Sequence, residues 1–231
     1  PAAIDKAAYV AVSKRSDNLL HLYANAYQQS FEIALDQLAP SSLGWPNYLL
    51  GVAGVLMQEG FEIGGFNAVV DGDVPLGAGL SSSAAVESAC LFALNELFGL
   101  GIDLKKMALM AQQVEHQYAG VNCGIMDMFA SLHGKKGQVI QLDCRNLHHE
   151  YFPLELGDYT LLLLNTEVKH SLASSAYNER RQQCEAGVAL VQQRYPEVKA
   201  LRDVTMAMLQ ECVPADSVVF KRGKYVIEED E

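Results

Sequence analysis

An α+β fold is predicted by this sequence, on three observations. Apolar–polar alternation of period two, broken by short polar turns, dominates the start of the chain; the period lengthens to that of an amphipathic helix at Trp45; and later strand-like and helix-like stretches interleave without a regular strand–helix–strand wind. In order, "KAAYVAVSKRSDNLLHLYA" reads as two strands around the polar turn Lys14 to Asn18, and a third lies near "SFEIAL". Connections this short imply antiparallel pairing. Trp45, Tyr48, Leu49, Val52, Ala53 and Leu56 recur at helical spacing and stop at Gly60. "GGFNAVVDGDVP" is a further strand, and a Gly/Ser loop then leads into a long helix from about Ser82 to Phe98. A third helix runs from an Asp103 cap to about Tyr118. "GQVIQLDC" and "YTLLLLNT" are predicted strands, and "AYNERRQQCEAGVALVQQRY" a largely solvated helix. "RNLHHEYFPLELGD" loses periodicity and gains Pro and Gly, which places a domain joint near residues 145–155 and divides the chain into 1–150 and 151–231. "DSVVFKRGKYVIEEDE" puts Val218, Val219, Tyr225 and Val226 near one helical face with nothing after it to pack against.

Composition narrows the function classes. Half of the 231 residues are hydrophobic, enough for a sizeable core, and 17 Lys+Arg against 28 Asp+Glu give a formal charge of −11 with no basic run. Nucleic acid and anionic membrane are therefore poor partners. No apolar run approaches the ~18 residues that span a bilayer. Five widely spaced cysteines without a C-x-x-C pair suggest neither a disulfide framework nor a zinc site, and point to a reduced, cytoplasmic compartment. Pro1 at the start, with no signal-peptide pattern, leads to the expectation of an N-terminal portion not included here.

Three places call for chemistry. "VPLGAGLSSSAAVESACLFALNELF" sets a strand end, two glycines, three serines and a helix start in succession. Gly77 and Gly79 let the backbone approach a ligand, and serines at the helix start supply hydroxyls beside free N–H groups, an arrangement suited to phosphate. The other reading is an ordinary Ser-capped helix after a Gly turn. It is neither a Walker loop nor the dinucleotide fingerprint. Glu115 falls in or beside the apolar stripe of its helix: it either reaches solvent at the stripe's edge or is a carboxylate held for a divalent cation. Asp127, among Cys123, Ile125, Met126, Met128, Phe129 and Ala130, either caps a helix or acts as a base toward a hydroxyl in a partly desolvated cleft. Cys123 reads as a small buried neighbour, and His148 and His149 as solvated loop residues.

Together these segments resemble the galactokinases, members of the GHMP family of small-molecule kinases. The resemblance is carried by "PAAIDKAAYVAVSKRSD", "VPLGAGLSSSAAVE", "VEHQYAGVNCGIMD" and "HSLASSAYNERRQQCE", in this order and with consistent spacing. It implies a GHMP-kinase fold: an N-terminal domain like domain 2 of ribosomal protein S5, and the start of a C-terminal α+β domain. It further implies an ATP-dependent sugar kinase acting on the C1 hydroxyl of galactose, with ATP and Mg2+. Pro75, Leu76, Gly77, Ala78, Gly79, Leu80, Ser81, Ser82 and Ser83 would wrap the ATP phosphates, and Trp45 and Tyr48 are similar to residues of the adenine pocket, although both fit an apolar core equally well. Ser83 and Glu115 would hold Mg2+. Asp127 would face the sugar hydroxyl, Gly124 would lie against the sugar, and Tyr177 would contact it from the opposite wall. The chain departs from the pattern in three respects. The sugar signature expected before Pro1 and a Gly-rich motif expected beyond Glu231 are absent, and Met128 stands where galactokinases usually carry glutamine. The 231-residue span alone is therefore expected to be inactive or nearly so. Alternatives are another GHMP kinase, acting on N-acetylgalactosamine, mevalonate or homoserine, and a non-catalytic sugar and nucleotide sensor on the same fold. Oligomeric state is not legible in the sequence.

Overall fold

The computed structural model of the chain describes residues 1–165 and 173–230. It divides into two compact units, Pro1–His170 and Ser171–Glu231. The joint expected near 145–155 is instead occupied by a β-hairpin of the first unit, whose strands pair in register from Gln138↔Pro153 to Asp143↔His148.

In the first unit, β1 (Ala8–Lys14), β2 (Leu19–Ala24), β3 (Gln29–Ala34) and β4 (Phe66–Gly72) form one sheet of order β1-β4-β2-β3. The strands lie where the alternation puts them, and β2 pairs antiparallel with β3 as expected. However, β1 and β2 do not form a hairpin. β4 inserts between them, antiparallel to β1 and parallel to β2. The reason is burial: Phe66 and Ala68 of β4 lie beside Leu20 and Leu22 of β2 on the covered face, and all four are almost wholly excluded from solvent. Entry of β4 is tight. A Cβ at Gly65 would overlap the carbonyl oxygen of Asp17, and Arg15 N donates to Gly65 O at 2.9 Å.

A parallel pair needs a crossover, which α1 (Pro46–Gln58) supplies between β3 and β4. Proline at its first turn costs no hydrogen bond, and the helix is buried from Leu49 through Leu56. Behind it come α2 (Ser82–Phe98), ended by Gly99 at φ +67, and α3 (Leu104–Val114), whose Asp103 cap accepts from Lys106 N at 2.8 Å. The sheet face, α1, α2, α3 and α4 (Met126–His133) enclose one core. β5 (Gln138–Asp143) and β6 (His148–Pro153) close the unit. His148 and His149 are thus strand residues rather than loop residues. His148 is exposed, whereas His149 packs edge-on against Phe129, with ring centroids 4.9 Å apart.

The predicted strand "YTLLLLNT" has no regular structure over its described residues, and Leu161 to Leu164 are 62–79% exposed. A run apolar at every position suits a strand covered on both faces, and no strand among the described residues pairs with it. The second unit is helical: α5 (Ala173–Gln192), α6 (Met206–Cys212) and α7 (Val218–Asp230) pack around Val191, Val198, Leu209 and Ile227. The α7 face that packs is Val219, Gly223, Val226 and Ile227, while Val218 and Tyr225 are exposed. No described helix is long and apolar enough to cross a membrane.

Candidate active site

The loop from Pro75 to Leu80 delivers the chain from β4 to α2. Gly77 and Gly79 have φ of +68° and +76°, conformations glycine adopts without the Cβ clash other residues meet. Ser81 is also left-handed, at φ +54°, where an L-residue carries a cost of about 1–2 kcal/mol. Although Ser81 is the N-cap residue of α2, its side chain makes no cap bond; its hydroxyl donates instead to Asp127 Oδ2 at 2.6 Å. The reading of this stretch as an ordinary serine cap is thereby overturned. The first-turn N–H groups of α2, at the positive end of its dipole, are left facing the loop.

Glu115 opens a π-helical turn, Glu115–Ala119, that continues α3. Its backbone carbonyl accepts from both Gly120 N and Val121 N. Tyr118, in the same turn, lies in a notch of α1 that exists only because residues 51 and 54 are glycines; a Cβ at Gly54 would overlap the Tyr118 hydroxyl. Glu115 is 5% exposed, and the Ser83 hydroxyl stands beside its carboxylate. The alternative of an edge residue reaching solvent does not hold. Burial raises its pKa above the ordinary range, the nearby Ser83 hydroxyl opposes that shift, and the charge of Asp127 adds to it.

Asp127 is placed differently from the expectation. It neither caps α4, whose N-cap residue is Ile125, nor is buried. It sits exposed on the first turn of the helix, with Ser81 as its donor, while Met128 and Phe129 point into the core. Met128 and Phe129 are thus turned away from it, while Met126 is itself exposed and Ala130 lines the same cavity as Asp127. The carboxylates that are desolvated are Glu115 and Glu87, the latter unforeseen from sequence even though it lies one helical turn after Ser83 on the same face of α2. The segment before α4 is tied down by Cys123 O, which accepts from Gln112 Nε2 at 3.1 Å and lies 2.9 Å from His116 Nε2. Burial, with the nearby carboxylates, pushes the Cys123 thiol up to about 12, which suits an inert neighbour. Gly124 borders open space.

Two cavities flank the loop. One, of ≈360 Å³, is lined by Tyr27, Trp45, Tyr48, Val70, Gly77 and Ser83. Here Trp45 stacks on Tyr27 and donates from Nε1 to Gln29 Oε1 at 3.1 Å. The other, of ≈870 Å³, is lined by Asp127, Ser131, Phe92 and the first residues of the chain. Gly79 and Ser81 line both, so the loop is the wall between them. Trp45 and Tyr48 belong to the core and to the first cavity at once. Tyr27, also in that cavity, was not foreseen; its only sequence signal is an aromatic in a turn. Among the described residues no three His, Cys, Asp or Glu side chains gather into a metal cage. The hydroxyl–carboxylate pair Ser83–Glu115 nevertheless fits a hard cation such as Mg2+, which commonly takes one or two carboxylates and completes its shell with phosphates and water. Tyr177 lies on α5 of the second unit, 45% exposed, so the geometry of the first unit does not bear on it. His170 to Leu172, which open the fourth resembling segment, lie outside the described residues.

Residues 47–135 match the GHMP kinases N terminal domain. The chain is 38% identical over its whole length to a galactokinase of Staphylococcus carnosus and 39% to one of Exiguobacterium sibiricum, spanning 57% and 60% of those proteins. A structure of Lactococcus lactis galactokinase complexed with galactose superposes with a TM-score of 0.92 at 29% identity, over 99% of this chain and 60% of that one. The chain thus spans somewhat over half the length of these relatives. Alongside a loop and serine-started helix facing a buried carboxylate, and an aspartate across the loop, the chain is similar to the GHMP kinases N terminal domain over residues 47–135 and to part of these galactokinases over its whole length.

Proposed function

We propose that the protein from which this chain comes is a galactokinase, moving the γ-phosphoryl group of ATP to the C1 hydroxyl of galactose. The observation that carries the reading is the convergence of Ser81, Ser83, Glu115 and Asp127 around a loop that separates two cavities. Phosphoryl transfer needs little covalent help from the protein; it needs phosphates neutralised on one side and a hydroxyl aligned on the other. In this reading ATP occupies the aromatic-lined cavity, with Trp45 and Tyr48 at the adenine. Pro75 to Ser83 wrap its phosphates, with backbone N–H groups and the α2 dipole facing them. Ser83 and Glu115 are the residues that would hold Mg2+, whose charge offsets that of the phosphates. Galactose lies on the Asp127 side, against Gly124. Asp127 accepts or orients the proton of the attacking hydroxyl, and the Ser81 hydrogen bond fixes which carboxylate oxygen is left free to do so. A reduced, cytoplasmic setting suits the five free thiols.

The test is Asp127→Asn in the full-length protein. Galactose-dependent ADP release falls by about 10²- to 10⁴-fold, while ATP affinity stays near the wild-type value. Near-wild-type turnover overturns the mechanism, and turnover on mevalonate or homoserine but not galactose overturns the substrate. The 231-residue span alone is proposed to be inactive or nearly so, and robust ADP release from it overturns that part.

A further inference from the structure

The buried face of α2 treats its polar side chains unequally. Asn95 is matched on both ends: Oδ1 accepts from Ile102 N at 2.8 Å and Nδ2 donates to Glu96 Oε1 at 3.2 Å. Two turns earlier, Glu87 is fully excluded from solvent and neither carboxyl oxygen has a hydrogen-bond partner. Buried carboxyl groups without partners are strongly unfavourable and rare; on the same helix Asn95 is paired, and the neighbouring Ser88 hydroxyl is the helix's other buried side-chain group that lacks a partner among the described residues. Glu87 lies one helical turn from Ser83 on the same face. It is close enough to Glu115 for the charge of that carboxylate to add to the upward shift that burial gives Glu87, and it acts in turn on Tyr48 of α1 and on Cys123. An unpaired acceptor therefore lies behind the pair Ser83–Glu115, with no hydrogen-bond donor among the described residues to meet it.

We infer that Glu87 is a positioning residue of the cation site, its carboxyl oxygens accepting hydrogen bonds from the water shell of a divalent cation held at Ser83 and Glu115. This rests on the kinase reading above and deepens it. Mg2+ sheds its waters reluctantly, so most sites leave several of them needing acceptors. Groups at one remove from a metal orient its ligands, and their loss typically weakens metal binding by about 10- to 100-fold. Glu87 supplies such an acceptor where solvent cannot reach.

The experiment measures Mn2+ affinity, by electron paramagnetic resonance, of the ATP-loaded full-length protein, and its ATP affinity without metal, by calorimetry. Glu87→Leu is expected to weaken Mn2+ binding by about tenfold or more and to leave metal-free ATP affinity unchanged. Glu87→Gln keeps the shape and an acceptor oxygen but not the charge, and is expected to fall in between. Wild-type Mn2+ affinity in the Leu variant overturns the inference; should that variant not fold, wild-type affinity in the Gln variant does so. Glu115→Gln separates the two levels. If it too binds Mn2+ normally, the cation reading of the site fails; if it loses Mn2+ while the Glu87 variants do not, only the role of Glu87 falls.

Discussion

The turn between β1 and β2 and the cleft beneath the Gly/Ser loop handle carboxylates in opposite ways. In the turn, the exposed Asp17 accepts two 2.6 Å bonds from Arg15 and a third from Leu19 N, and its pKa is lowered to about 2. In the cleft, Glu115 and Glu87 are buried and have their pKa values raised, the charge of Glu115 adding to the shift of Glu87 and that of Asp127 to the shift of Glu115. The turn fixes where a strand goes, so its polar groups are paired within the protein. The cleft leaves polar groups under-satisfied, strains Ser81 into a left-handed conformation and opens a π-helical turn, features that cost stability and cluster where a ligand completes the structure.

The largest effect that bears on this contrast comes from Gly54→Ala. A methyl group there overlaps the Tyr118 hydroxyl. Overpacking of this kind costs typically about 1–3 kcal/mol, read as a lowered midpoint in chemical denaturation. Because Tyr118 and Glu115 share one π-helical turn, the variant is also expected to weaken Mn2+ binding to the ATP-loaded full-length protein. A loss of stability with unchanged cation affinity would mean that the notch is ordinary packing and that the turn is held independently of it.

Ser81→Gly has a smaller and more pointed effect. Glycine removes the left-handed penalty of about 1–2 kcal/mol, partly offset by about 0.5–1 kcal/mol of added freedom in the unfolded chain. Stability is therefore expected to hold or rise by up to about 1 kcal/mol. Turnover of the full-length protein falls because Asp127 loses its donor. A variant that is both more stable and as active as wild type would show that the strain at Ser81 serves no catalytic geometry.

Much of the frame was legible from the residues because local signals acted without competition: Gly60 as the stop of the first helix and Asp103 as a cap. What failed did so where a distant partner decided. The β1–β2 hairpin lost to β4, whose Phe66 and Ala68 need two flanking strands to be covered. The strand in "YTLLLLNT" has no partner among the described residues, and periodicity alone does not say where a partner comes from. Ser83, Glu115 and Asp127 were named from sequence and lie together in the first unit. However, the burial of Asp127 was inferred from its neighbours along the chain, and the helix turns Met128 and Phe129 to another face. Glu87 passed unnoticed because one acid in "SSSAAVESAC" looks like a solvated helix position until α1 and α3 are packed against it.

The smallest expected effect isolates the other half of the comparison. Because the folded pKa of Asp17 lies below the usual carboxylate value, the native state binds fewer protons than the unfolded chain between the two, and stability rises with pH across that window. The contribution of the Arg15–Asp17 pair is therefore fully present above about pH 4 and is lost as pH falls toward about 2. Asp17→Asn is expected to be slightly less stable than wild type at neutral pH, the two denaturation midpoints converging through that acid window. Since Asp17 is solvent-exposed and Arg15 partly so, added salt narrows the difference. Binding of ATP and Mn2+ does not change, because nothing in the turn reaches either cavity. A gap between the two proteins that persists at pH 2 would assign the turn's stability to the shape of the side chain and its bond to Leu19 N rather than to its charge. The contrast with the cleft would then be one of burial alone.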